Sequence, residues 1–101
     1  MYAVIRSFPQ MQNVEEAGRL AATGLAPILK QQPGFSAYYL IRLEGGGGGS
    51  ISLFDNAENA KAAHEQSLAW IKDNLASMIG NAQPVVVMGE VLADVAAEAV
   101  G

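Results

Sequence analysis

The chain has 101 residues, ten acidic and six basic side chains, a net charge of −4 and no cysteine. Phosphate groups bind to clustered basic surfaces, so this balance excludes nucleic acid and an anionic membrane surface as partners. The absence of cysteine excludes disulfides and thiolate metal sites. The length predicts one domain over residues 1–95, followed by a frayed tail over 96–101. No apolar run is long enough for a signal peptide or a membrane span, and a cytoplasmic protein is expected.

The first half of the chain predicts one strand followed by one helix. Tyr2 to Phe8 has the length and apolar content of a strand. Apolar residues then recur at helical spacing from Asn13, the predicted N-cap, to Gln32. Pro27 lies inside that pattern and should kink or restart the helix, and Pro33-Gly34 should end it.

A glycine-rich hairpin is predicted next. Phe35 to Leu43 and Ser50 to Phe54 form its strands, and Gly45 to Gly49 form its turn. The glycines do not form a phosphate-binding loop, because they join two strands and lack the lysine of such loops. Ser50 and Ser52 lack the surrounding glycines of a hydrolase nucleophile, so a hydrolase has no support.

The remainder predicts a long second helix and a final strand. The helix begins at Asp55 or Asn56 and continues to Ile79, with an expected break near Glu65–Ser67. Gly80-Asn81 should end it by supplying a left-handed residue. The last strand is predicted from Val85 to about Val95, after Pro84.

This order, β-α-β-β-α-β, predicts an α+β ferredoxin-like fold: an antiparallel sheet with two helices on one face. The other face should be polar if it met water, yet the strands are apolar on both sides. Strand 1 carries Val4 on one side and Ile5 on the other, and the run Val85 to Met88 does not alternate. We therefore expect a homodimer through the uncovered sheet face. The alternative is a central strand 4 that loops bury.

Four segments together resemble one known superfamily. They are Pro33-Gly34-Phe35-Ser36-Ala37-Tyr38-Tyr39-Leu40, Ser50-Ile51-Ser52-Leu53-Phe54-Asp55, Ala69-Trp70-Ile71-Lys72-Asp73-Asn74-Leu75 and Pro84-Val85-Val86-Val87-Met88-Gly89-Glu90-Val91. This pattern is similar to the antibiotic biosynthesis monooxygenases, whose members are dimeric α/β barrels. The resemblance covers about residues 2–95 and implies a pocket between sheet and helices.

The resemblance also implies a reaction. Characterised members of the superfamily oxygenate electron-rich aromatic molecules, often without metal or flavin. One haem-degrading branch uses an Asn on strand 1 and a His after a Trp in the second helical region. This chain lacks that Asn, and His64 precedes Trp70. The resemblance therefore does not extend to haem degradation, and no cofactor is expected.

His64 and Trp70 are the first candidate site residues. His64 is the only histidine and lies on the inward stripe of the second helix, where it could accept a proton from a phenol or orient one. The alternative is a hydrogen-bonded histidine at the seam between helix and sheet. Trp70 could form the wall of an aromatic site or serve as a packing anchor. No second histidine or carboxylate is placed by the sequence to complete a metal site.

The strands supply the other candidates. Tyr38 and Tyr39 point to opposite faces, so one could line the pocket while the other faces the dimer seam. Arg6 and Arg42 occur in otherwise apolar strands, where either could stabilise a phenolate or enolate. The alternative places Arg42 at a strand end in water. The alternative for Arg6 is a position near the sheet edge or an intersubunit ion pair.

Three functions remain open from the sequence. The first is a cofactor-independent monooxygenase acting on a small aromatic or quinone-type molecule. The second is a non-catalytic module that binds such a molecule in the same pocket. The third is a dimer whose pocket is filled by side chains.

Overall fold

A four-stranded antiparallel sheet forms the centre of the protein, in a computed structural model that describes residues 1–80 and 84–95. The strands are β1 (Tyr2–Phe8), β2 (Phe35–Arg42), β3 (Gly48–Phe54) and β4 (Val85–Glu90). Their order across the sheet is β2-β3-β1-β4. The helices are α1 (Val14–Leu20), α2 (Ala26–Lys30), α3 (Ala57–Asn74) and the short α4 (Ala76–Ile79). This topology confirms the predicted ferredoxin-like fold.

The two faces of the sheet have different neighbours. The inner face packs against the helices, mainly over β1, β2 and β3. Across it, the row Leu40–Ser50–Arg6–Val86 lies beside the row Tyr38–Ser52–Val4–Met88. The outer face carries the row Tyr39–Ile51–Ile5–Val87, which no helix covers. The predicted excess of apolar β-surface is therefore present on the outer face.

The core between sheet and helices consists of two clusters that meet at Trp70. The first joins β1, β3, α3 and the helices before β2. Its buried members are Val4, Ala21, Leu25, Leu29, Phe54, Ala60 and Ala63. The second lies at the other end of the helices, with buried residues Phe8, Met11, Ala17, Ile71 and Leu75. Small residues such as alanine let the helices approach the sheet closely.

The first helical region is interrupted ahead of its proline. A π-helical turn over Ala21–Leu25 separates α1 from α2, and Pro27 lies in the first turn of α2. A proline ring clashes with the carbonyl four residues earlier, here that of Thr23, and a wider turn relieves that clash. The predicted restart is therefore present. Asn13 occupies the N-cap position of α1 as predicted, but it is left-handed (φ 53°) and its side chain makes no capping hydrogen bond.

The second helical region differs from the prediction in where it breaks. Asn56 is the N-cap of α3, and its side-chain oxygen accepts from the Asn59 N–H at 2.8 Å. The helix runs unbroken through the region predicted to break, and the buried Ser67 hydroxyl is satisfied within it by donating to the Ala63 carbonyl at 2.9 Å. The break lies instead at Leu75, between α3 and α4.

The glycine run and β4 also differ from the predicted bounds. Gly48 and Gly49 are buried within β3, and the turn ends at Gly47. A Cβ at Gly48 would lie 2.7 Å from the Met11 sulfur, so a side chain there would require Met11 to move. β4 ends at Glu90 instead of about Val95: Glu90 pairs with Tyr2, the first residue of β1, and the Val91 N–H makes one further hydrogen bond to the Met1 carbonyl at 2.9 Å.

Parts of three predictions lie outside the described residues. These are Asn81 of the helix stop, the frayed tail over 96–101 and therefore the end of the predicted domain at residue 95. Gly80 itself has a positive φ of 72°, but its ψ of −164° lies outside the predicted left-handed helical region. Within residues 1–80 and 84–95, the helices are too short or too polar to cross a membrane.

Candidate functional site

Arg6 is the centre of a polar cluster on the inner face. It is only 1% exposed, although it carries a charge. Its Nε donates to His64 Nδ1 at 3.0 Å, and its Nη1 donates to the Ser50 and Ser52 hydroxyls at 3.2 and 3.3 Å. These contacts follow from the fold: β3 pairs with β1, and α3 crosses above both strands. The predicted edge position of Arg6 is wrong, because β1 is a central strand.

One nitrogen of Arg6 has no partner. Among the described residues, Arg6 Nη2 is the buried side-chain polar atom that makes no hydrogen bond. Within the same ranges, the ion pairs are Arg19–Glu16 and Arg42–Glu15, so Arg6 has no carboxylate partner there. Burial lowers the pKa of Arg6, but a guanidinium stays protonated in proteins. The inner face therefore holds a buried positive charge that no described acidic group balances.

His64 contacts this charge through one ring nitrogen. Because Nδ1 accepts a hydrogen bond from Arg6, the proton of the neutral ring lies on Nε2. Burial lowers the pKa of His64, the Arg6 charge lowers it further, and Glu65 opposes the shift. His64 is therefore neutral at pH 7. In this arrangement it can donate from Nε2, and it accepts a proton at Nδ1 only if the Arg6 contact breaks.

Tyr38 and Tyr39 are separated by the sheet. Tyr38 lies on the inner face opposite Ser52, near enough to Arg6 for the two side chains to affect each other's pKa. Burial raises the pKa of Tyr38, and the Arg6 charge opposes this rise. Tyr38 is therefore a neutral phenol and does not balance Arg6. Tyr39 lies on the outer face and is 56% exposed.

Trp70 lies away from the polar cluster, where the two core clusters meet. Its ring packs on Gly24 of the π-helical turn so closely that a Cβ at Gly24 would lie 2.7 Å from Trp70 Cζ2. This close contact shows that Trp70 serves as a packing anchor between the two helical regions. The structure thus brings Arg6, His64 and Tyr38 together, but places Trp70 and Tyr39 elsewhere.

Two surface clefts lie apart from the polar cluster. One of about 780 Å³ separates the start of α1 from the β2–β3 hairpin and contains Arg42, which pairs with Glu15 at the surface. The other, of about 290 Å³, lies at the start of α3 beside Tyr2 and Glu90. None of the five predicted site residues lines either cleft. Residues 1–80 and 84–95 contain no cluster of acidic or histidine side chains suited to a metal ion.

Sequence reasoning missed the part played by Ser50 and Ser52. They are buried at 2% and 0% exposure and both accept from Arg6. A signal was present, because two serines at spacing i, i+2 in a strand must share one face. Assigning that face to Arg6 also requires the register of β3 against β1, which pairs Ser50 with Arg6.

The fold has many solved relatives, but the sequence matches no protein-family model and no curated protein. The monooxygenase ActVA-Orf6 of Streptomyces coelicolor, solved with nanaomycin D, is 14% identical, with a TM-score of 0.73 over 96% of this chain and 92% of that one. A putative antibiotic biosynthesis monooxygenase from Nitrosomonas europaea is 17% identical, with a TM-score of 0.69 over 92% and 100%. SnoaB, a cofactor-independent oxygenase from Streptomyces nogalater, is 14% identical, with a TM-score of 0.64 over 92% and 93%.

These likenesses define the class of fold. The chain has the ferredoxin-like architecture of the antibiotic biosynthesis monooxygenase-like proteins, over nearly its whole length. At such low identity the likeness establishes the fold alone, because one fold hosts many activities.

Proposed function

We propose that this protein is a cofactor-independent monooxygenase of small aromatic or quinone-type molecules, acting at Arg6, His64 and Tyr38. The observation that carries the proposal is the contact of the buried Arg6 with the half-buried His64 on the inner face, at 3.0 Å. An apolar core gains nothing from an arginine without a counter-charge, so such a group suggests a functional site. The fold it occupies is shared with ActVA-Orf6 and SnoaB, which are oxygenases.

The proposed chemistry uses a ring CH₂ that a neighbouring carbonyl activates. Loss of one CH₂ proton to solvent gives an enolate, which is electron-rich enough to react with O₂, and both CH₂ hydrogens end in the water that is formed. One oxygen atom enters the product as C=O and the other leaves as water, and the substrate supplies all four electrons. The fixed charge of Arg6 would stabilise the enolate oxygen, and the Nε2–H of His64 would donate a second hydrogen bond to it.

The test is oxygen uptake with a panel of anthrones and dihydroxyaromatics. We expect the wild-type protein to turn over at least one of these substrates. Arg6→Gln should lower that turnover rate at least about tenfold, since a lost donor to a developing oxyanion typically costs this much or more. Arg42→Gln is the matched control, because Arg42 is exposed and pairs with Glu15 at the surface. Absence of uptake on every substrate would count against an oxygenase.

A non-catalytic binding module at the same residues is the second candidate. It is favoured by the Arg6–His64 hydrogen bond, which occupies the Nδ1 lone pair that a general base would use. Ligand-induced thermal stabilisation without oxygen uptake or product would identify this function.

The outer face suggests a homodimer in either case. Ile5, Tyr39 and Val87 share one row of that face, at 44%, 56% and 57% exposure. Apolar side chains grouped in this way mark an interface, and a second copy related by a two-fold axis is the simplest cover. Sedimentation at micromolar concentration should give the mass of two chains, and a lone subunit would contradict the proposal.

A further inference from the structure

Among the residues that the structure describes, no acidic group balances the charge of Arg6 on the inner face. All of its described partners are neutral: the hydroxyls of Ser50 and Ser52, and His64 Nδ1. Nη2 is buried, makes no hydrogen bond to a described residue, and can only donate. An isolated buried charge is costly, and the missing partner must be an acceptor that also carries negative charge to remove that cost.

We propose that Arg6 is the receptor for an oxyanion of a small planar ligand, which accepts a hydrogen bond from Nη2. The ligand is thus bound as an anion, either a carboxylate or an ionised acidic hydroxyl. This inference rests on the proposed function for the place of binding, and adds the charge state of the ligand.

The surroundings of Arg6 favour this ligand over a neutral one. Tyr38 is the acidic side chain that interacts with Arg6 on the inner face, and its raised pKa keeps it neutral. In a low-dielectric site a charged acceptor gains far more from a guanidinium than a neutral acceptor does. Approach is expected over β4, where Val86 pairs in register with Arg6 and is half-buried, and where the helices pack least.

His64 supplies a direct readout, since it is the only histidine in the chain. Three groups set its charge environment: Arg6 from β1, Glu65 from its own helix, and Tyr38 through its interaction with Arg6. The Arg6 charge lowers the pKa of His64. An oxyanion on Arg6 would offset that charge, so binding should raise the pKa of His64.

The experiment combines affinity with an NMR titration of the His64 ring. Two matched probe pairs cover the two sources of an oxyanion: 2-naphthoate against 2-naphthamide, and 2,4-dinitrophenolate against 2,4-dinitroanisole. We expect at least one anion to bind roughly tenfold to a hundredfold more tightly than its neutral partner, as for hydrogen bonds to charged groups. That anion should also move the His64 titration to higher pH, while its neutral partner should not.

Variants test whether Arg6 is responsible. Arg6→Gln should remove the preference for the anion, and Arg42→Gln should keep it. If Arg6→Gln does not fold, the affinities of the wild-type protein for the two probe pairs still test the inference. Equal affinity within both pairs, no binding of either anion, or anion binding that leaves the His64 titration in place would overturn the inference. Anion binding without oxygen uptake would refute only the oxygenase, and oxygen uptake without anion preference would refute only the receptor.

Discussion

The two faces of the sheet are built from the same strands, but one buries a charged side chain and the other exposes apolar ones. On β1, Arg6 is buried under the helices and its neighbour Ile5 is exposed on the other side. The inner face hides a charge and two serine hydroxyls in an otherwise apolar core, while the outer face presents apolar rows to solvent. Each face thus leaves a different kind of interaction incomplete: an ionic one on the inner face and an apolar one on the outer face. Within residues 1–80 and 84–95, no acidic group balances Arg6 on the inner face and no helix covers the outer face; we propose a ligand for the first and a second copy of the chain for the second.

A charge on the outer face should have the largest effect. Ile5→Glu would place a carboxylate in the central strand of the proposed interface, and the two-fold axis would place two. Because burying an unpaired charge costs several kcal/mol, we expect the dimer to weaken by about 3 kcal/mol or more, roughly a hundredfold in Kd. Sedimentation over a concentration series measures this. Gln66→Glu, on the exposed side of α3, is the control. An unchanged dimer would place the interface elsewhere.

Removing the polar cluster from the inner face should have the next largest effect, and in the opposite direction. Replacing a buried ionic group with apolar residues of similar volume often stabilises by about 1–4 kcal/mol. We expect the triple variant Arg6→Met, Ser50→Ala, Ser52→Ala to raise the free energy of unfolding by an amount in this range. Ligand binding should be lost. Urea denaturation at fixed protein concentration measures the change, and Arg6→Met alone shows how much depends on the serines.

A less stable triple variant would contradict this account. It would mean that the three hydrogen bonds from Arg6 outweigh the cost of burying its charge, and that the cluster is part of the core's stability. The argument for a missing anion would then lose its energetic basis.

A glycine pair tests how closely the helices cover the inner face. A Cβ at Gly24 would meet Trp70 at 2.7 Å, whereas one at Gly18 would lie 3.7 Å from Leu40 Cδ2, an ordinary contact. Alanine is favoured over glycine in helices by about 1 kcal/mol, but overpacking costs about 1–3. We expect Gly24→Ala to destabilise by about 1 kcal/mol and Gly18→Ala to stabilise by about 0.5–1. Thermal unfolding measures both, and equal effects would refute a close contact at Trp70.

The outer face could be predicted from the sequence, whereas the inner cluster could not. Period-2 alternation assigns Ile5 and Arg6 to opposite faces without knowledge of any partner. The Arg6–His64 contact joins residues 58 positions apart, and it depends on the register of β1 and the path of α3. Hydrophobic periodicity places His64 on an inward stripe but does not reveal what it meets. The end of β4 could not be predicted for the same reason, because it depends on the register that pairs Glu90 with Tyr2 of β1.

The smallest expected effect is the pH dependence that His64 adds to stability. Its pKa is lowered in the folded protein by burial and by the Arg6 charge, whereas in the unfolded chain it is near 6.5. As pH falls below 6.5 the unfolded chain takes up a proton that the folded protein resists, so stability decreases until the folded pKa is passed. His64→Gln should lack this decrease. Urea denaturation of both proteins from pH 8 to pH 5 measures the difference, in which the common carboxylates cancel. A difference that grows in favour of the wild type at low pH would mean that His64 is stabilised as a cation, which the neighbouring Arg6 charge opposes.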